Sequence, residues 1–160
     1  MAYKVYIRPI LEYCSEVWSP YLLKHIDEIE NVQRYFTRKI RGLSSFNYEN
    51  RLFILGLESL EMRRIKKDCK MCFKIFYGFV DLDINSFFKL SDATLTRGHH
   101  FKTVKPLVKS NLGLNSFASR VVDYWNFLPS DIFKVNNVKG FSAKLDCIKL
   151  SKFIKGRALV

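Results

Sequence analysis

Residues 60–79 carry the strongest pattern in the chain, and any fold it adopts must accommodate that pattern. At 100° per residue, Met62, Ile65, Cys69, Cys72, Phe73 and Phe76 fall on one stripe. Arg63, Arg64, Lys66, Lys67, Lys70 and Lys74 fall on the other side. Apolar residues recurring at this period mark a helix with one face on a core. The pattern predicts a helix over 60–79 whose opposite face is a dense positive strip.

The remaining segments arrange themselves around that helix. From Tyr3 to Trp18, Ile10, Cys14, Val17 and Trp18 recur at helical spacing, with Pro9 opening or kinking the run. Ser19-Pro20 predicts a new helix, capped by Ser19, with Leu22, Ile26, Ile29, Phe36 and Ile40 on one face. It runs through Arg41 to a stop at Gly42, with acids near its start and bases near its end. A short helix follows over Tyr48–Leu55, ending at Gly56. The helical period fades over 81–115, where Thr94, Thr96, Thr103, Val104 and Val108 suggest short strands or an extended arm. It returns at Ser116–Leu128, stops at Pro129, and recurs from about Val138 to Leu150. The tail, with Lys152, Lys155 and Arg157, is expected to fray. The expected fold is mainly α: a small helical bundle with a short extended or β-hairpin segment near residues 94–112. Its parts are a helical module over 3–80, a basic extended segment over 81–115, helices over 116–150 and a tail over 151–160, all in one compact unit.

A chain of 160 residues, with 14 Phe, 8 Tyr and 2 Trp, has enough apolar mass for a packed core. Its charge is lopsided, at 27 Lys and Arg against 15 Asp and Glu, net +12. Such a field attracts polyanions, either nucleic acid or an acidic membrane surface. No apolar run approaches the ~18 residues of a transmembrane helix. No signal peptide is visible, and the four cysteines lie in apolar surroundings without the spacing of a small secreted disulfide framework. An intracellular setting, nuclear or cytoplasmic, is the expectation.

Candidate chemistry is sparse. Cys69-x-x-Cys72 has half of a zinc site, but no second Cys or His pair stands at finger spacing, and core packing is the commoner fate of such thiols. Asp81 and Asp83 suit a divalent ion or, more simply, a solvated turn. No nucleophile elbow, phosphate loop or metalloprotease motif occurs. The expectation is a chain with no catalytic centre, metal or cofactor of its own. The informative feature is three basic clusters: Arg34, Arg38, Lys39 and Arg41; Arg63, Arg64, Lys67, Lys70 and Lys74; and Arg97, Lys102, Lys105 and Lys109. The third lies in the stretch 93–122, which has five basic residues and no acidic one. Cations on helices track a phosphate backbone without reading sequence. Tyr35, Tyr77 and Phe101 stand near them as candidates for base stacking.

Several blocks, in order, resemble one family. Tyr6-Ile7-Arg8-Pro9-Ile10-Leu11-Glu12-Tyr13 and Val17-Trp18-Ser19-Pro20-Tyr21 are followed by Glu30-Asn31-Val32-Gln33-Arg34 and Phe36-Thr37-Arg38. Then come Tyr48-Glu49-Asn50-Arg51-Leu52, Leu55-Gly56-Leu57, Ser59-Leu60-Glu61-Met62-Arg63-Arg64, Thr96-Arg97-Gly98-His99 and Arg120-Val121-Val122-Asp123-Tyr124-Trp125-Asn126-Phe127-Leu128-Pro129. Together they resemble the region after the polymerase core in non-LTR retrotransposon reverse transcriptases of the jockey and CR1 type, over about residues 3–147. The resemblance implies a thumb and the segment beyond it, which cradle a template–primer duplex. The fingers, the palm with its catalytic aspartates, and the endonuclease of that family have no counterpart in these residues. RNA-directed DNA polymerase activity would then belong to the parent protein. The implied partners are RNA–DNA hybrid, duplex DNA or RNA, and the palm of the parent polymerase. The alternative is a protein- or membrane-interaction module with a basic face and no nucleic-acid role.

Overall fold

A computed structural model describes residues 2–91 and 99–156. The chain is mainly helical, with one two-stranded ribbon among the described residues. A π-helical stretch, Tyr3–Ile7, leads into α1 (Arg8–Glu12) and α2 (Ser15–Trp18). Next come α3 (Leu23–Arg38), α4 (Tyr48–Leu55) and α5 (Leu60–Phe76). Strands β1 (Lys89–Leu90) and β2 (Thr103–Val104) pair antiparallel, Lys89 opposite Val104 and Leu90 opposite Thr103. Helices α6 (Asn111–Leu114), α7 (Phe117–Phe127) and α8 (Val138–Asp146) complete the order. No helix is long and apolar enough to cross a membrane among the described residues.

Local signals set several ends. Asn47 caps α4 by accepting from the Asn50 amide at 2.8 Å, and Gly56 closes it at φ +55°. Asn137 caps α8 in the same way through the Gly140 amide. The helix at 60–79 stops at Phe76 instead, because Gly78 takes φ +67° and the Phe79 amide returns to the Lys74 carbonyl at 2.8 Å. Ser19 caps nothing. A residue before proline is pushed to extended backbone, and Ser19 at ψ 124° ends α2. Thus α3 begins at Leu23, four residues after Ser19, and it ends at Arg38 rather than Arg41. The ribbon shares only β2 with the expected 94–112 segment; β1 lies before it, and Thr94 and Thr96 lie outside the described residues.

Contacts divide the chain into two compact units, Met1–Arg64 with Ser151–Val160, and Ile65–Leu150. These bounds differ from the segments read in the sequence: the division falls inside α5, and the tail belongs with the first unit.

The first unit is organised by a buried polar network. The face that α3 buries is Ile26, as predicted, with Glu30, Gln33 and Thr37; of the other predicted positions Ile29, Phe36 and Ile40 are half-buried and Leu22 is exposed. The Glu30 carboxylate accepts from the Leu60 amide at 3.0 Å, from the Glu61 amide at 3.3 Å and from the Tyr48 hydroxyl. It thus caps the start of α5, where free amides and the helix dipole favour negative charge. Gln33 accepts from the Tyr3 hydroxyl at 2.7 Å and donates to Tyr48 Oη and the Glu58 carbonyl, each at 2.9 Å. Buried Arg51 donates to Thr37 Oγ1 and the Phe46 carbonyl. The described part of the tail is held at its end: the Glu61 carboxylate accepts from the amides of Lys155 (2.8 Å) and Gly156 (2.9 Å). Arg157 lies outside the described residues.

The second unit has an aromatic core. Phe73 stacks on Phe141 with centroids 4.2 Å apart, Phe76 stacks on Trp125 at 5.2 Å, and Phe133 meets Trp125 edge-on at 4.9 Å. Specific polar contacts tie its elements to one another. Trp125 Nε1 donates to the Phe101 carbonyl, and the Asn126 amide side chain bonds both backbone groups of Thr103, which pins β2 to α7. Arg120 grips Asp68 with two parallel bonds, 2.8 and 2.9 Å long.

Candidate nucleic-acid interface

The predicted positive strip on α5 is not a solvated face. None of its residues is exposed; each is buried or half-buried. Arg64 is 2% exposed. Arg63 is half-buried and forms an ion pair with Glu12 through two bonds, the second 2.9 Å long, which holds its guanidinium above the usual value. Buried Lys66 reaches Asp146 at 2.8 Å. Lys67, Lys70 and Lys74 are half-buried. A basic residue on an apparently free helix side loses that freedom when carboxylates distant in sequence fold against it.

The first cluster keeps its access. Arg34 is the exception within it: it is half-buried, donates to Asn31 at 3.2 Å, lies 3.7 Å from Asp27 and sits over the Tyr48 ring. Arg38, Lys39 and Arg41 are exposed. They follow from the last turn of α3, whose buried side is fixed by Thr37, and from the turn that Gly42 completes at φ +82°. Tyr35, one turn before Lys39, is 65% exposed, and Lys39 Nζ lies 5.2 Å from its ring centroid. The result is an exposed aromatic ring with Lys39 over it, and Arg38 and Arg41 exposed on the same short stretch of chain.

The third cluster is mixed. Arg97 lies outside the described residues. Lys102 is half-buried, Lys105 pairs with Asp123 at 2.5 Å, and Lys109 is exposed. Two predicted stacking residues belong to the core instead. Tyr77 stacks on Phe73 at 4.1 Å and donates to the Phe133 carbonyl, and Phe101 packs against Tyr77 and Phe133.

Other candidate groups have structural surroundings. Burial pushes the Cys69 and Cys72 thiols well up, which makes them poor nucleophiles and poor ligands. Cys14 and Cys147 are exposed, contrary to the expected apolar surroundings. Asp83 accepts from the Asn85 amide and Ser86 Oγ, the solvated-turn reading of the Asp81–Asp83 pair. No group of three His, Cys, Asp or Glu side chains stands at metal-binding spacing among the described residues. The ring of buried His99 packs tilted against Phe133, centroids 4.2 Å apart, and burial lowers its affinity for a proton.

No family model matches the chain, and neither does any curated protein or solved structure. The site therefore rests on its own geometry. One surface feature was not located from the sequence. Residues 5–23 expose a run of large apolar side chains, among them Ile10 at 75% and Val17 at 82%. Their helical spacing pointed to a core face.

Proposed function

We propose that the chain is a nucleic-acid-binding module that grips phosphate backbone without reading base sequence. In this reading it corresponds to the thumb and following segment of a jockey- or CR1-type reverse transcriptase. It carries no catalytic centre or cofactor of its own, and polymerisation belongs to a palm these residues do not contain. The observation that carries the reading is the exposed group of Tyr35, Arg38, Lys39 and Arg41, on a chain of net charge +12. Cations there neutralise phosphates and the tyrosine ring offers a face for an unpaired base. Lys109 and, once released from Asp123, Lys105 add contacts on the second unit. The partners proposed are RNA–DNA hybrid, duplex DNA or RNA, together with the polymerase palm, in the nucleus or cytoplasm.

The test is a titration of the chain into labelled RNA–DNA hybrid, duplex DNA and single-stranded RNA at several salt concentrations. Neutralising Arg38, Lys39 and Arg41 to Gln should reduce the slope of log affinity against log salt by about 2 to 3, at roughly 0.7–0.9 per phosphate contact. Binding should weaken alike for every sequence tested. An unchanged slope, or absence of binding by the folded chain at low salt, rules the reading out.

A further inference from the structure

Tyr35 differs from the other exposed tyrosines of the first unit. Tyr6, Tyr13 and Tyr21 belong to the apolar run 5–23, and no cation lies over their rings among the described residues. Tyr35 has Lys39 over its ring, and at 65% exposure it keeps a face open besides the one Lys39 covers. Among the described residues no other ring packs on it and its hydroxyl forms no hydrogen bond. The hydroxyls of Tyr3, Tyr48 and Tyr77 are all bonded within the fold.

The charge around the ring is positive toward one side only. Arg38 and Lys39 follow it by three and four residues, the spacing of one helix face, and Arg41 follows in the turn. None of the three forms an ion pair among the described residues. From Asn31 to Tyr48 the chain has four bases and no acid. On the other side, Glu28 lies on the face of Tyr35 two turns earlier, ~10 Å away at the helical rise. Asp27 is close to Arg34, and Glu49 is exposed in the first turn of α4. The end of α3 adds about half a negative charge of its own, against three cations. A phosphate chain is thus attracted on the Arg38–Arg41 side of Tyr35 and repelled on the Glu28 side.

Duplex bases show a protein their edges, and presenting a face requires taking the base out of the stack. A single strand presents faces freely, and a ring beside cations stacks them whatever the sequence. We infer that the ligand class of this site is single-stranded nucleic acid, with one base stacked on Tyr35 and the flanking phosphates on Arg38, Lys39 and Arg41. The inference rests on the nucleic-acid reading above and adds to it a contact that salt does not screen.

The test is a titration of the full chain with oligothymidylate, oligouridylate, an abasic tract of equal length and long blunt duplex DNA. Tyr35→Ala should melt as the parent does, since the position is exposed. It should bind the single strands about fivefold more weakly or worse, the low end of base–aromatic stacking, and Tyr35→Phe should restore binding. Both variants should keep the parent's salt slope, because no cation is removed, and should bind duplex as the parent does. The abasic tract should bind the parent as weakly as oligothymidylate binds Tyr35→Ala, with no further loss when the two changes are combined. Tyr6→Ala, an exposed ring outside the group, should change nothing. A loss on both single strands makes the stacking indifferent to the sugar, and a loss on one names the sugar. The inference falls if Tyr35→Ala binds single strands as the parent does, if it weakens duplex as much, or if the abasic tract binds the parent as tightly as the intact one. In each of those cases a salt slope that drops when Arg38, Lys39 and Arg41 are neutralised leaves the phosphate grip standing. No binding to any of the ligands removes both.

Discussion

The two units are organised by different kinds of contact. In residues 2–64 the inward side of α3 is Glu30, Gln33 and Thr37, fastened by hydrogen bonds, while many of the large apolar side chains of 5–23 face outward. In residues 65–150 the inward side is Phe73, Trp125, Ile132 and Phe141, and the exposed residues there include both lysines (Lys105, Lys109, Lys134 and Lys139) and large apolar side chains such as Leu107 and Leu112. A polar interior contributes little net stability per bond but specifies one arrangement, since each unmet partner is expensive. An aromatic interior contributes stability through area and tolerates less loss of volume. The first unit is therefore the better candidate for a surface that works by contact, and the second for the more stable core.

The comparison breaks most easily at Trp125. It is fully buried and in contact with Phe76, Phe133 and Phe141. Trp125→Ala should cost about 3–5 kcal/mol in chemical denaturation, with amide exchange rising across residues 65–150. A loss under about 1 kcal/mol would mean that the aromatic cluster does not hold this unit.

The counterpart in the first unit is Glu30. Burial raises its pKa, opposed first by the Tyr48 hydroxyl and then by the Leu60 amide. Glu30→Gln keeps the size but removes the charge and turns an NH2 toward groups that donate. Loss of the charge-assisted bonds should cost roughly 1.5–3 kcal/mol, with faster exchange first at the amides of Leu60 and Glu61. An unchanged variant would show that the polar network is incidental.

What could be read from the sequence divides along the same line. The limits of α4 were legible to the residue, because Asn47 and Gly56 act within a few positions of the helix they end. The run ending at Pro129 was legible for the same reason, and Val121, Trp125 and Leu128 are buried as its spacing implied. Beyond Ile26, the buried face of α3 was not legible. Its stripe is polar, and its partners Tyr3 and Leu60 lie 30 residues away. The outer side of α5 failed likewise, since Asp146 stands 80 residues from Lys66. Of the candidate interface, Arg38, Lys39 and Arg41 were legible because a helix end and a glycine turn expose them by local geometry. Arg34 and Arg63 were not, for nothing local names Tyr48 or Glu12 as their neighbours.

His99 sharpens the comparison by pH. Burial lowers its pKa below the ordinary 6.5, with the bond to the Trp125 carbonyl working the other way. The unfolded chain then takes up a proton before the folded one does. Its contribution to stability is present above about pH 6.5 and is lost as pH falls toward the folded value, at no more than about 1.4 kcal/mol per pH unit. Residues 65–150 should loosen over that range, and His99→Phe should flatten the dependence. A slope that survives the substitution would assign it to another group.

The smallest expected stability effect is at Lys105 and Asp123, an ion pair with both side chains about half exposed (49% and 53%). Asp123→Asn should change stability by less than about 1 kcal/mol, since an exposed pair gains little Coulomb energy in water. Its value lies in binding. Freed of its carboxylate, Lys105 can meet a phosphate, so the salt slope should steepen by about 0.9 per added contact on duplex DNA. A steeper slope at unchanged stability would place the second unit's basic surface on the nucleic acid alongside Arg38, Lys39 and Arg41. An unchanged slope would confine the grip to the first unit, and the aromatic core of the second would then serve as support alone.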